Sequence, residues 1–293
     1  MSVKCLFIVN PTAGNGQAGR QWPNIEAMIK ERFDDYEILM TQGQGDATRI
    51  ASEGVTRGFD TIVSCGGDGT LNEVINGVVG SDVGVALIPL GTGSDFGKTI
   101  GIRNVEGSLS ALKKNNKERI DIASVTFSES NESRFFINIL EIGFGAEVMK
   151  YVNSHSKHGS SSFIIGIISV LMKLKKFRVE MDSGKAKDVE TIEVIVANGK
   201  YFGGGMLASP ESAVNDGILD LHILKPVSRI TTLFRLRNLM NGTYIEKKFS
   251  YDDRVASMDF LEKGNLVEVD GEVVGTTPIS IRISPKGVNF VVP

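Results

Sequence analysis

Thr61-Ile62-Val63-Ser64-Cys65 running into Gly66-Gly67-Asp68-Gly69-Thr70-Leu71-Asn72-Glu73 is the stretch that decides the fold. The first five residues, apolar and β-branched, predict a buried strand, and the pattern over 71–79 predicts a helix after it. Thr70 and Glu73 stand at capping-box spacing, so the helix should be entered sharply. In an open α/β sheet, ligands bind at the carboxyl ends of the strands. Amides left unpaired in a glycine turn, with the positive end of the next helix, make an anion site there. Asp68 is the informative residue. An acid among phosphate-binding amides repels phosphate unless a cation intervenes, so it suits Mg2+, held directly or through water. The plainer alternative is an Asp-Gly turn with a solvated carboxylate.

Upstream and downstream the same strand-loop-helix texture repeats. Strands are expected at 3–9, 36–40 and 83–89, with helices at 21–32 and 46–54, which reads as βαβ units around a parallel sheet. The first strand leads into Asn10-Pro11-Thr12-Ala13-Gly14-Asn15-Gly16-Gln17-Ala18-Gly19. Its last six residues match the dinucleotide pattern G-x-G-x-x-G. The acid expected about 20 residues later to hold a ribose is absent, since the second strand ends in Met40-Thr41. The third loop, Gly91-Thr92-Gly93-Ser94-Asp95-Phe96-Gly97-Lys98-Thr99, ends like a P-loop. Its register is wrong, because glycine is required where Thr92 stands, and Lys98 is therefore expected as a surface charge. Anion-binding loops on neighbouring strands imply a polyphosphate ligand.

The chain has 293 residues, 33 of them glycine, or about 11% against an average near 7%. That length corresponds to about two domains. A net charge of −3 argues against nucleic acid as partner. Two cysteines, Cys5 and Cys65, exclude a disulfide framework and read as small buried hydrophobes. The apolar run after Lys4 is broken at Asn10-Pro11, so no signal peptide is expected and the protein is read as cytoplasmic. The most apolar segment, 163–172, is followed by Lys173, Lys175, Lys176 and Arg178. It is far shorter than the roughly 20 residues needed to span a bilayer. It suits either a membrane interface with a basic flank or a buried helix, and the buried helix is the favoured reading.

After Asp121 short strand-like runs prevail, at 122–127, 135–140, 177–181, 192–197, 218–224, 266–269, 279–283 and 288–292, with helices near 161–175 and 228–240. A second, mostly antiparallel domain follows from that texture. Its exposed strand edges would permit a homodimer. Asp270-Gly271 between apolar runs is a hairpin signal, and Asn215-Asp216-Gly217 reads as either a turn or a metal site.

Taken together, Asn10-Pro11 with Gly14, Thr41 with Gly45-Asp46-Ala47, the second glycine loop with Asn76-Gly77, and Gly91-Thr92-Gly93 with Asp95-Phe96 resemble the diacylglycerol kinase catalytic domain family, especially its bacterial lipid kinases. The resemblance continues through Gly204-Gly205 with Pro210, Asp216-Gly217 with Asp220, Asp270-Gly271-Glu272 and Thr277-Pro278. It implies a three-layer α/β domain over 1–121, related to phosphofructokinase and NAD kinase. It also implies a β-sandwich over 122–285, with residues 286–293 returning to the first domain and ATP in the cleft between the two. The expected activity is ATP-dependent phosphorylation of a lipid hydroxyl, diacylglycerol by default, by a protein peripheral to the membrane.

By the same resemblance, residues 10–14, Thr41, residues 66–73 and Thr92, Gly93 and Ser94 would contact ATP. Asp68 would reach the catalytic Mg2+ through water, and Asp95 and Asp121 would support it. Asp270 would be the general base, with Glu272 as the alternative. Asp216 would bind a structural Mg2+ together with carbonyls of Ala213 and Ile218. Two departures stand out. Ser94 replaces the family's usual Asn, which shortens a donor near the phosphates, and 163–172 lacks the usual Gly-Tyr signature. A soluble kinase of the NAD-kinase type and a nucleotide- or lipid-binding module without turnover are the alternatives.

Overall fold

The computed structural model describes residues 3–155, 161–173, 175–179, 189–239, 243 and 249–293. Two compact units emerge, one made of Met1–Ile122 with Pro285–Pro293 and the other of Ala123–Ser284.

The first unit runs β1 (Cys5–Val9), α1 (Ala13–Lys30), β2 (Tyr36–Met40), α2 (Asp46–Thr56), β3 (Thr61–Gly66), α3 (Asp68–Val78), β4 (Gly84–Pro89), α4 (Asp95–Thr99) and α5 (Val105–Lys114). The strands pair in parallel in the order β2-β1-β3-β4. β1 and β3 are buried along their whole length, as strands covered on both faces must be. Phe7, Val9, Val63 and Ile88 pack with Trp22, Ile25 and Ile29 of α1 and Leu109 and Leu112 of α5. On the other face α2 and α3 lie side by side, and Gly54 of α2 sits against Leu6 and Ile62. The result is a three-layer α/β domain.

Several boundaries differ from expectation for local reasons. α1 starts well before residue 21, but Gly14, Asn15 and Gly16 all have positive φ, so its opening is a left-handed kink before regular helix. α4 and α5 are additional; Asn104 caps α5 by accepting the Gly107 amide at 2.8 Å. Both cysteines are buried and unpaired, and burial pushes the Cys5 thiol up to about 12.

The second unit opens within β5 (Lys117–Phe127). It continues β6 (Ser133–Phe136), β7 (Ile139–Gly143), α6 (Phe144–Ser154), α7 (Ser161–Met172), β8 (Phe177–Val179), β9 (Val189–Thr191), β10 (Glu193–Ala197), β11 (Tyr201–Phe202), β12 (Met206–Leu207), β13 (Leu219–Leu224), α8 (Arg229–Leu239), β14 (Ser250–Val255), β15 (Ser257–Phe260), β16 (Leu266–Val269), β17 (Glu272–Thr276) and β18 (Ile279–Val291). Positions 180 and 181 of the expected strand at 177–181, position 174 of the helix at 161–175 and position 240 of that at 228–240 lie outside the described residues.

A six-stranded antiparallel sheet, β14-β13-β10-β7-β16-β17, packs its apolar face on the antiparallel pairs β5-β6 and β15-β18. Ala123, Val125, Phe136, Met258, Phe260 and Ile281 meet Leu140, Ile142, Val194, Val196, Val267 and Val269 between them, which is a β-sandwich. β18 merges the two strands expected at 279–283 and 288–292. Its far end returns to the first unit, where Asn289 and Phe290 pair in parallel with Gly84 and Val85 of β4.

Among the described residues, no helix is long and apolar enough to cross a membrane. The favoured reading of 163–172 as a buried helix does not hold. α7 exposes Ile165, Ile168 and Met172, the last at 64%.

Candidate active site

The order β2-β1-β3-β4 places a topological switch between β1 and β3, where ligands bind in open α/β sheets. The loops that follow β1 and β3 are tied together there by Asn10. Its Oδ1 accepts the Thr12 amide and hydroxyl at 3.0 and 2.8 Å, and its Nδ2 donates to Thr70 Oγ1 at 3.0 Å. Pro11 and Thr12 form the turn, and Ala13 and Gly14 begin α1.

The loops after β3 and β4 are joined by backbone and by Asp68. The amides of Leu90 and Gly91 donate to the Gly66 carbonyl at 2.8 and 3.1 Å. A Cβ on Gly91 would lie 2.4 Å from the Gly67 Cα, so only glycine lets these backbones meet. Asp68 accepts the amides of Asp95 and Phe96, each at 3.0 Å. A residue in the first turn of α3 thus caps α4. Ser94, which precedes α4, has φ +48°, a left-handed conformation in which Asn is enriched. Its Oγ is buried without a partner. Thr92 is exposed and Gly93 half-buried.

The expected capping box does not form. α3 begins at Asp68 with Gly67 as cap, and Gly67 makes no side-chain cap bond. Thr70 turns to Asn10, and Glu73 accepts the amides of Gly45 and Ala47 at 2.9 and 3.0 Å, which caps α2 instead. Glu73→Ala is expected to destabilise the protein by about 2 kcal/mol through loss of this cap, read as a lower urea midpoint at unchanged slope. Leu71 and Asn72 are buried, and the Thr41 amide extends the β1–β2 ladder by donating to the Val9 carbonyl.

Lys98, partly exposed, pairs with the buried Asp95 at 3.0 Å. Asp121, fully buried, accepts the Lys286 amide at 2.7 Å and so holds the returning strand. The half-buried Asp68 carboxylate is a hard-oxygen group fixed by two amides. Its chemistry fits contact with Mg2+ through water.

In the second unit Asp270 and Gly271 form the β16–β17 turn with φ +48° and +94°, the double positive φ of a two-residue hairpin. The Asp270 side chain, only 7% exposed, accepts the amides of Ile137, Asn138 and Ile139 at 3.1, 3.1 and 3.0 Å. Those donations explain why the strand expected at 135–140 is broken between β6 and β7. Glu272 is held differently, in an ion pair with Arg134. Asn138 and Asn198 complete the surroundings. Their Nδ2 groups donate to the carbonyls of Tyr201 and Ile137, and the Asn138 Oδ1 is buried without a partner. Sequence reasoning passed over both asparagines and Arg134; the one readable sign was that Asn138 and Asn198 interrupt or end apolar runs.

Asp216 stands elsewhere. Its Oδ1 accepts the Ile218 amide at 3.2 Å, and its Oδ2 pairs with Arg254, which also reaches Asp220 at 3.3 Å. A guanidinium therefore stands beside Asp216, the residue expected to meet carbonyls of Ala213 and Ile218 around a structural Mg2+. Among the described residues no group of three or more His, Cys, Asp or Glu is arranged to hold a metal.

Residues 4–125 match the diacylglycerol kinase catalytic domain family, and 138–292 match the YegS C-terminal NAD kinase beta sandwich-like domain. A probable lipid kinase YegS-like protein of Klebsiella pneumoniae is 30% identical over 78% of this chain and 76% of its own length. A diacylglycerol kinase of Mycobacterium tuberculosis is 23% identical over 99% of this chain and 95% of its own. Two Bacillus anthracis crystal structures span 100% of the chain. One has a TM-score of 0.81 at 27% identity over 98% of that protein. The second, a diacylglycerol kinase, has a TM-score of 0.75 at 24% identity over 97%, and shares the fold. With both of its domains matched and relatives aligned along nearly its full length, the chain belongs to the bacterial diacylglycerol kinase-like family of lipid kinases.

Proposed function

We propose that this lipid kinase transfers the γ-phosphoryl group of ATP, with Mg2+, to a hydroxyl of a membrane lipid, diacylglycerol or a close relative. The observation that carries the reading is the Asp68 clamp, which sets two glycine loops side by side at the carboxyl ends of β3 and β4. Residues 10–14, Thr41, residues 66–73 and Thr92, Gly93 and Ser94 would hold the nucleotide, with main-chain donors on the phosphates. Asp68 would hold Mg2+ through water, and the ion would supply neutralisation of the charge that develops on the transferring phosphate.

In the second unit Asp270 acts as base. The lipid oxygen bonds to the γ-phosphorus as the bond to the β–γ bridging oxygen breaks, its proton passes to Asp270, and ADP leaves. Three amides fix that carboxylate, whereas Glu272 is already neutralised by Arg134. That contrast favours Asp270. The test is incubation with labelled ATP, Mg2+ and a fractionated bacterial lipid extract, with NAD as a parallel acceptor. Label appearing in a lipid fraction supports the reading, and label in NAD alone or in nothing rejects it.

The lipid would be met at a membrane surface, which the exposed side chains support. α7 packs on α8, and together they expose Ile165, Ile168, Met172, Ile230 and Phe234, the last at 75%. Lys173, Lys175, Lys176 and Arg178 follow α7 and are exposed. This combination suits an anionic interface. Phe234→Ser is expected to weaken binding to vesicles containing phosphatidylglycerol by roughly 10-fold, the effect of one buried aromatic side chain, as read by vesicle sedimentation. Activity on a short-chain monomeric lipid should be unchanged.

A further inference from the structure

Three glutamates outside this site lie together in the second unit. Glu141 on β7, Glu193 on β10 and Glu268 on β16 are each at most 4% exposed. Glu268 is directly opposite Glu141, and Glu193 is opposite Gly143, two residues along from Glu141. All three therefore project to one face of the sheet, away from the sandwich core.

They form a continuous path. Glu268 Oε1 accepts the amide of Gly271 in the Asp270-Gly271 turn. Glu141 lies between the other two, directly across the β7–β16 pair from Glu268 and with its carboxyl against Gly145, whose amide Glu193 accepts. Glu193 Oε2 accepts the Gly145 amide at the start of α6 at 2.7 Å, while its buried Oε1 has no hydrogen-bond partner among the described residues. The close fit depends on Gly145, where a Cβ would lie 2.4 Å from Glu141 Oε1.

Among the described residues, the surroundings supply little positive charge. α6 turns Ala146 and Val148 inward and leaves Glu147 and Lys150 exposed. On β16–β17 the nearest charged groups are Asp270 and the Glu272–Arg134 pair. Beyond Ile195 lie His222, held by Ser209 and Asp252, and Asp220, paired with Arg254. Desolvation, and repulsion by acidic neighbours, push all three glutamates well above the usual carboxylate range.

We propose that Glu268, Glu141 and Glu193 form a proton-sharing positioning chain that holds the Asp270-Gly271 turn against the start of α6, and that the turn keeps its working geometry only while the chain keeps its protons. The catalytic part of this inference rests on Asp270 acting as base. Loss of a shared proton places two anions side by side in a dry site and turns Glu268 into an anion two residues from the Asp270 carboxylate. The turn then shifts, so kcat falls on the alkaline side while KM for ATP does not.

The test uses the full chain with Glu268→Ala, Glu268→Gln and Glu141→Gln. Glu268→Ala should lower kcat at least 10-fold with KM for ATP within twofold, and Glu268→Gln, which keeps an acceptor for Gly271, should restore most of it. Glu141→Gln cannot lose a proton and should move the alkaline limb of the kcat profile upward.

Two readouts need no turnover. Amide exchange over residues 266–276 should be at least 10-fold faster in Glu268→Ala than in wild type. The folded glutamates keep protons that the unfolded chain releases above about pH 4.3. Stability should therefore fall as pH rises from there toward their folded values, and Glu141→Gln should flatten that fall and have the higher Tm at pH 8. Wild-type exchange in a folded Glu268→Ala, or an unchanged slope of Tm with pH in Glu141→Gln, overturns the chain. A wild-type protein that phosphorylates no lipid overturns the base assignment alone, because exchange and Tm still decide the chain.

Discussion

Asp270→Asn is expected to slow transfer of phosphate from ATP to lipid by about 100-fold or more, the loss that follows removal of a general base. The substitution keeps size and shape but changes what the side chain gives its neighbours. An Oδ1 still accepts the amides of Asn138 and Ile139, while an NH2 group in place of Oδ2 meets the Ile137 N–H donor to donor. Leaving a buried donor unsatisfied costs about 1–3 kcal/mol, so Tm should fall as well. The two effects separate by temperature. Well below the variant's Tm the protein is folded, and the kinetic loss should persist there with little change in KM for ATP. Phosphorylation within a few-fold of wild type under those conditions would remove Asp270 from the chemistry and leave it as a structural acceptor.

Gly91→Ala is expected to cost about 3 kcal/mol and to weaken ATP binding by at least 10-fold. A Cβ there would lie 2.4 Å from Gly67 Cα and 3.2 Å from Gly67 N. The obstacle is backbone, so no side chain can rotate out of the way. The loops after β3 and β4 must then part, which breaks the donations to the Gly66 carbonyl and pulls the start of α4 off Asp68. Gly43→Ala is the matched control, since nothing lies within 4 Å of a Cβ at that position. With no positive φ to strain it, it should be neutral or stabilising by up to about 1 kcal/mol. Thermal melts with and without Mg·ATP distinguish the pair, and a Gly91→Ala variant as stable and as responsive to nucleotide as Gly43→Ala would contradict the close-approach argument.

Much of the first unit was legible because its strands are short apolar runs ending in glycine. The strand expected at 36–40 is β2 residue for residue, and β3 and β4 differ from expectation by one residue each. What escaped depends on partners distant in sequence. Glu73 stands at capping-box spacing from Thr70, yet it caps a helix 26 to 28 residues earlier. Asp68 reads as a cation ligand, yet its two amide partners are 27 and 28 residues later. No local pattern records such pairings. The same holds for the apolar run at 135–140, which period and composition make one strand. It becomes two because Asp270, more than 130 positions away, draws its amides aside. Arg254 was missed beside Asp216 for a related reason, since the two residues meet only when β13 and β14 pair.

The return of β18 also bears on how the chain assembles. In the first unit Asn289 reaches the Asp82 carbonyl across 207 positions, and the neighbouring residues close that unit's parallel sheet beside β4. An emerging polypeptide can form the β1–β4 ladder early, but one edge of it stays bare until a segment made much later arrives. Long-range pairing of this kind is slow to form, and an uncovered strand edge is a template for wrong partners. Biosynthesis therefore passes through a stage at which β4 offers an open flank to other chains, a hazard that ends when the final strand docks.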